Sequence, residues 1–401
     1  MNTQKPEEMR TVRNLVQMGF WAPSMAFLRR CNEAGIATHL MPMHEEGQAA
    51  QAMPVARPSA AIATMGPSVP LGMEKTSEAI EQVVAFVRAV RAEAISSDDE
   101  ATLFWLARHR ERLEPECRVM ASPVAAIERL MRKPEQSAMA REAGFRVLPT
   151  WLIAPGDDGA AITEDGFPLC VRPTRMHSVE PVFKAERVAE RAELERFLRR
   201  LRWTSALMAQ PFRLGPNLVL HGTRGEDGRM LGLECFQTVC KHRGFALTIE
   251  RCALPGELRA AAERFAELAD LRGAFHFDLL QSAETGEIYF LEVNYRMGGT
   301  TPKVVRLGYD EPMLALRAFG LEPPRRPQAL TAARRVTGKR MLAGRLMDSL
   351  RRPAGALDYP MSSRGRRFWS SVGQLATVPD ALLSWRDLRG SLWYLLRGGR
   401  M

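Results

Sequence analysis

The chain has 401 residues, of which 46% are hydrophobic and 25% charged. That balance fits a globular protein with two or three domains' worth of core and excludes a disordered or fibrous chain. No run approaches the roughly 20 apolar residues of a membrane-spanning helix. The formal charge is +10, but residues 321–401 hold 16 Lys and Arg against 5 Asp and Glu, so the basic character belongs to the C-terminal segment.

The first residues carry Glu7 and Glu8 and no apolar core, unlike a secretory signal. Residues 12–18 are an apolar run. Gly19 follows, then a helical stretch over 23–34 with Pro23 near its start, and Gly35 closes it before a second apolar run at 36–41. Further strands are predicted at 60–64 and 94–96. Helices are predicted at 76–90, where Ile80, Val83, Val84 and Val87 recur at helical spacing, and at 100–113. This alternation predicts an α/β fold: a Rossmann-like parallel-sheet domain over 1–121. The phosphate fingerprint G-x-G-x-x-G is absent after the first strand, so a dinucleotide is not implied.

From residue 122 the texture changes. Helices are predicted at 125–131 and 134–143, flanking Lys133, with Gly144 as a stop. A strand follows at 168–172, a helix at 189–201 and a strand at 206–212. Strands at 218–221 and 230–236 are joined by a turn, and a helix spans 257–269. Residues 274–280 and 287–293 form a hairpin. Pro323, Pro324 and Pro327 mark the boundary between a second domain, 122–322, and an Arg-rich extension, 323–401. Within 379–400, Leu382, Trp385, Leu388, Leu392, Trp393 and Leu396 fall at helical spacing, accompanied by Arg386, Arg389, Arg397 and Arg400. Trp and Leu beside Arg suit a membrane interface. Gly390 weakens an isolated helix, so docking of this terminal amphipathic helix on the body or on a second subunit is preferred over peripheral membrane contact. A homodimer is the default assembly.

The chemistry concentrates in 275–301, FHFDLLQSAETGEIYFLEVNYRMGGTT. Asp278 lies on one arm of the hairpin; Glu292 and Asn294 lie on the other, sharing one face by the period of two. Asp278 faces them where the register allows. Two carboxylates and an amide oxygen make a hard site suited to Mg²⁺, which typically keeps one or two carboxylates and completes its shell with water and phosphate. Arg296 places positive charge beside it, and Gly298-Gly299 allow a close backbone approach to a ligand. Acidic alternation alone would equally describe a solvated hairpin face. The very apolar strands and the Asn, Arg and Gly-Gly that follow argue for a site.

The run Phe290-Leu291-Glu292-Val293-Asn294-Tyr295-Arg296 resembles the F-x-x-E-x-N-x-R signature of the ATP-grasp superfamily, and the resemblance covers most of the chain. It implies an ATP-grasp domain of two α+β subdomains behind the Rossmann-like one. Lys133, with Ala143-Gly144-Phe145 and Pro149-Thr150 after it, resembles the linker that carries the first phosphate lysine. Gln210, Pro211, Phe212 and Arg213 resemble the adenine-binding hinge, and Asn217 stands where an acid often holds the ribose. Arg172, in Val171-Arg172-Pro173, stands in place of the second phosphate lysine, and the resemblance implies Lys241 as a further phosphate contact. The resemblance implies Asp278, Glu292 and Asn294 as ligands of one or two Mg²⁺ (or Mn²⁺) and Arg296 as the catalytic cation. It implies an ATP-dependent carboxylate–amine ligase that forms an acylphosphate and releases ADP and phosphate. The substrates are then a small carboxylic acid and an amine, anionic or carrier-borne in keeping with the basic C-terminal segment. No specific nucleic-acid partner is implied.

Two departures carry alternatives: a degenerate ATP-grasp protein that binds without turnover, or a thiol acceptor. Arg172 is not equivalent to lysine at a phosphate, and the loop Thr174-Arg175-Met176-His177-Ser178 has no glycine to free backbone N–H donors. Cys235, Cys240, His242 and Cys252 lack the paired spacing of a zinc site. The six cysteines read as reduced thiols of a cytoplasmic protein.

Overall fold

The computed structural model describes residues 9–44, 58–70, 77–175 and 178–397. Five parallel strands form the first sheet: β1 (Asn14–Met18), β2 (Ala37–Met41), β3 (Ile62–Met65), β4 (Ala94–Ser97) and β5 (Arg118–Val119), in the order β3-β2-β1-β4-β5. The crossovers include helices α1 (Ala22–Glu33), α2 (Ser77–Ala89) and α3 (Glu100–Arg108). Strands β1, β2 and β4 are buried along nearly their whole length because helices cover a parallel sheet on both faces. Asp99 caps α3 by accepting from Thr102 N at 2.8 Å. The single helix expected over 100–113 is interrupted at His109, and a separate turn of helix follows at Arg110–Leu113.

Helices α4 (Val124–Leu130) and α5 (Lys133–Ala143) come next. Gly144, at φ 102°, ends α5 in the left-handed cap that glycine adopts at least cost. A four-stranded antiparallel sheet contains β6 (Trp151–Ile153), β7 (Leu169–Pro173), β8 (Glu186–Val188) and β9 (Leu207–Pro211), in the order β8-β7-β9-β6. It rests on helix α6 (Arg191–Arg200) through Leu194, Phe197 and Leu198.

A six-stranded antiparallel sheet holds β10 (Asn217–Arg224), β11 (Met230–His242), β12 (Phe245–Cys252), β13 (Gly273–Gln281), β14 (Ile288–Asn294) and β15 (Arg335–Thr337), in the order β14-β13-β10-β11-β12-β15. Strands β10 and β11 run longer than the sequence periodicity suggested, and β12 was not anticipated. Helix α7 (Gly256–Leu268) covers this sheet, and its Phe265 stacks on Phe290 with ring centroids 5.8 Å apart. Phe145 and Phe277 complete the aromatic core, 5.2 Å from each other.

The basic C-terminal segment is woven into the body. Leu321 and Glu322 pair with Arg10 and Thr11, and β15 extends the large sheet. Helices α8 (Lys339–Arg351) and α9 (Arg364–Thr377) form a hairpin, and the last helix, α10, spans Leu388–Arg397. The continuous terminal helix expected from 379 is corrected. Leu382 lies before it in buried irregular chain, and Trp385 belongs to a separate 3-10 turn, because Asp380 and Asp387 take backbone N–H groups into caps. One side of α10 docks, with Tyr394 buried and Trp393 edge-on to Phe20 at 4.8 Å; Leu388, Leu392 and Leu396 are exposed. No helix among the described residues is long and apolar enough to cross a membrane.

Candidate active site

One cleft, between the four-stranded and six-stranded sheets, collects most of the residues singled out by sequence. Lys133, Arg172, Gln210, Pro211, Phe212, Arg213, Asn217, Lys241, Asp278 and Glu292 all line it. Asn294 and Arg296 stand outside its wall. Residues the sequence did not flag also line it: Cys170, Lys184, Ala356 and Leu357.

The hairpin explains the acidic pair. Strands β13 and β14 are antiparallel with Asp278 directly opposite Glu292 and His276 opposite Asn294. A bulge at Leu291 shifts the register before Phe290. Phe277 and Val293 are buried in the aromatic core, so alternation turns the two half-buried carboxylates to the other face. Asn294 Nδ2 lies 3.4 Å from Asp278 Oδ2.

Lys133 reaches this pair through a clamp. The Gln136 amide donates to Val293 O at 3.1 Å and accepts from Val293 N at 3.0 Å, as another strand would. The first turn of α5 is thereby fixed on β14, and Lys133 Nζ sits 3.2 Å from Glu292 Oε2. Arg172 Nη1 is 3.9 Å from the same oxygen. Its Nη2 donates to Gln210 Oε1 at 3.0 Å, and Gln210 in turn donates to Thr150 Oγ1 at 2.9 Å.

The two acids are driven apart in acidity. Burial and the Glu292 charge raise Asp278 above the ordinary carboxylate range. Burial also acts to raise Glu292, but the Lys133 and Arg172 charges outweigh it and hold Glu292 below that range. Lys241 Nζ donates to Asn217 Oδ1 at 2.9 Å and Gly215 O at 3.1 Å, and burial lowers its pKa to about 8.

Arg296 points to the first domain, pairing with Glu100 at 3.0 Å at the start of α3. Gly298 corrects its sequence reading. A Cβ there would meet the His276 ring at 2.2 Å, so protein packing by itself already requires the glycine. That ring stacks on His221 at 5.2 Å, and His221 bonds Glu311 at 2.7 Å and Thr300 at 2.9 Å. Burial and the neighbouring His221 and Arg296 keep His276 well below the usual histidine range.

Cys235 and Cys240 are buried on β11, as expected of core residues. His177 lies outside the described residues. Among the described residues no group of three or more His, Cys, Asp or Glu side chains is arranged to hold a metal ion. Asp278, Glu292 and the Asn294 amide fit a different case: hard oxygen donors too few to hold Mg²⁺ alone, but sufficient where phosphate and water complete the shell.

No protein-family model and no curated protein matches the sequence. Solved structures do. The biotin carboxylase domain of Hydrogenobacter thermophilus 2-oxoglutarate carboxylase, in complex with MgADP, ADP and bicarbonate, is 15% identical over 80% of this chain and 72% of its own, with a TM-score of 0.59. An L-amino acid ligase from Bacillus licheniformis is 17% identical over 80% of this chain and 78% of its own, with a TM-score of 0.58. The chain has the ATP-grasp fold. A third structure with this fold is the ADP-complexed N5-carboxyaminoimidazole synthetase of Staphylococcus aureus, 12% identical over 82% of both chains, with a TM-score of 0.57.

Proposed function

We propose that the cleft binds ATP with Mg²⁺ and that the protein ligates a carboxylate to an amine through an acylphosphate. The observation that carries this reading is the convergence, in one ATP-grasp cleft, of Lys133, Arg172 and Lys241 with the opposed carboxylates Asp278 and Glu292. The Lys133 ammonium, 3.2 Å from Glu292 Oε2, sets a cation directly on this acid. Asp278, Glu292 and Asn294 would hold Mg²⁺, which neutralises phosphate charge when bound.

In this reading the chain's own residues position and neutralise rather than react covalently, as phosphoryl transfer requires. Lys133 and Arg172 bind the terminal phosphates and Lys241 a further phosphate oxygen. Main-chain groups of 210–213 face the base between Leu148, Leu280 and Leu291. The cleft encloses about 150 Å³, less than the roughly 300–1,000 Å³ of ordinary ligand pockets, so nucleotide entry requires it to widen. The substrate carboxylate attacks the γ-phosphorus as the bond to ADP breaks. The amine then attacks the acyl carbon, phosphate leaves, and the nitrogen gives up its proton. In this reading Arg296, outside the cleft wall and paired with Glu100 at the junction with the first domain, orients the substrate carboxylate through its planar fork.

Glu292→Gln, assayed for ADP release against a panel of acids and amines, tests the reading. Loss of about 100-fold or more is expected. Unchanged turnover in the variant would defeat it.

A further inference from the structure

The C-terminal segment enters the cleft at one place, beside Lys241. Lys241 N donates to Tyr359 O at 2.7 Å, and Tyr359 N returns a bond to Lys241 O at 3.1 Å. Gly244 N donates to Leu357 O at 3.3 Å. Residues 355–359 therefore form a strap along the end of β11, and Ala356 and Leu357 of that strap line the cleft.

Asp358 holds the strap in place. Its Oδ1 accepts from Arg243 N at 2.7 Å and lies 3.1 Å from His242 Nδ1. Its Oδ2 accepts from Gly355 N at 3.1 Å and pairs with Arg367 at 3.3 Å. The side chain is 3% exposed. The bonding is redundant: the start of the strap and both residues after Lys241 meet on one carboxylate. Burial alone would raise this acid, but His242 and the two backbone N–H groups hold it down to about 2, so it stays ionised. The network continues outward. His242 Nε2 is 3.1 Å from Asp348, which also pairs with exposed Arg243 at 2.6 Å. It also continues inward, where buried Arg345 donates to Arg367 O at 3.2 Å and to Ser371 Oγ at 2.7 Å.

We propose that Asp358 is a positioning residue for Lys241, fixing the strap against β11 so that the Lys241 ammonium is presented to a phosphate in the cleft. This rests on the nucleotide reading above. Asp358 touches no substrate; it acts through the backbone pairing of residues 241 and 359. The loss on its removal must therefore be specific to phosphate and must vanish once Lys241 itself is gone.

The test is a binding titration on the full chain with Mg·ATP and with adenosine as probes, each by displacement of a fluorescent nucleotide. Asp358→Asn is expected to weaken ATP by about 10-fold, the worth of a hydrogen bond to a charged group, while adenosine changes by less than about 2-fold. Lys241→Met should weaken ATP at least as much, and the double variant should add nothing further. Asp348→Asn, which cuts only the outer contacts, should bind ATP as the unaltered protein does. Should Asp358→Asn fail to fold, His242→Gln carries the test. It removes one partner of Asp358 and should give a smaller loss, again confined to ATP. Equal loss of ATP and adenosine, additive losses in the double variant, or no loss at all would overturn the inference. Absence of ATP binding by the unaltered protein would overturn the nucleotide reading instead.

Discussion

Two acidic centres meet the six-stranded sheet, one within its strands β13 and β14 and one in the strap packed along β11, and they are built in opposite ways. Asp358 is saturated, with two backbone N–H groups, a histidine and an arginine on its two oxygens. Asp278 and Glu292 face each other as like charges, half-buried, with Lys133 close and one long amide contact from Asn294. A saturated carboxylate has nothing left to bind and holds structure. A pair with spare acceptor capacity and mutual repulsion is poorly stabilised in the free protein and gains most when cations arrive. The difference separates architecture from chemistry without reference to any relative.

The comparison can be broken at either centre. Truncating the saturated acid, Asp358→Ala, leaves buried Arg367 without its carboxylate and should cost about 3 kcal/mol or more in a denaturant melt; a cost below about 1 kcal/mol would mean that the network is idle. At the open pair the two acids differ in sign. Lys133 and Arg172 hold Glu292 below the ordinary carboxylate range, so its contribution is present at neutral pH, and Glu292→Gln should abolish turnover and also lower stability in a denaturant melt. Gly298→Ala, which drives a methyl into the His276 ring, should cost roughly 1–3 kcal/mol by overpacking. The smallest effect sharpens the comparison most. The folded state raises Asp278, so its contribution is present below the unfolded value of about 3.9 and is lost as pH rises through the higher folded value. Asp278→Asn should therefore stabilise the free protein at neutral pH, by about 1 kcal/mol, while destroying activity. A neutral-pH melt showing destabilisation would contradict this assignment of strain to the pair.

Much of this was legible in the sequence. Apolar alternation placed Glu292 and Asn294 on one face and left Asp278 to the hairpin register, which sets it opposite Glu292. The βαβ texture gave the parallel sheet because its signals are local: Pro and Gly punctuation and helical spacing. What stayed hidden was long-range. Nothing near Gln136 announces that its amide will pair with Val293, 157 positions away. Lys184, Ala356 and Leu357 reach the cleft by topology rather than by motif. The net charge of the Arg-rich segment points to an anionic substrate or carrier, yet Arg345 and Arg367 are among the most buried side chains described. A charge count cannot distinguish a hydrated arginine from one folded into a network. Gly298 misled for a related reason: a glycine signals close approach but not of what.

The central claim is that the opposed acids and the three cations form one phosphate-binding unit completed by magnesium. Isothermal titration calorimetry of ATP into the full chain, with Mg²⁺ and then with chelator, tests it most directly. Binding that is strong with Mg²⁺, weaker by about 10-fold or more in chelator, and indifferent to Mg²⁺ in Glu292→Gln is the predicted result. No ATP binding, or binding equally tight with and without the metal in the unaltered protein, would contradict it.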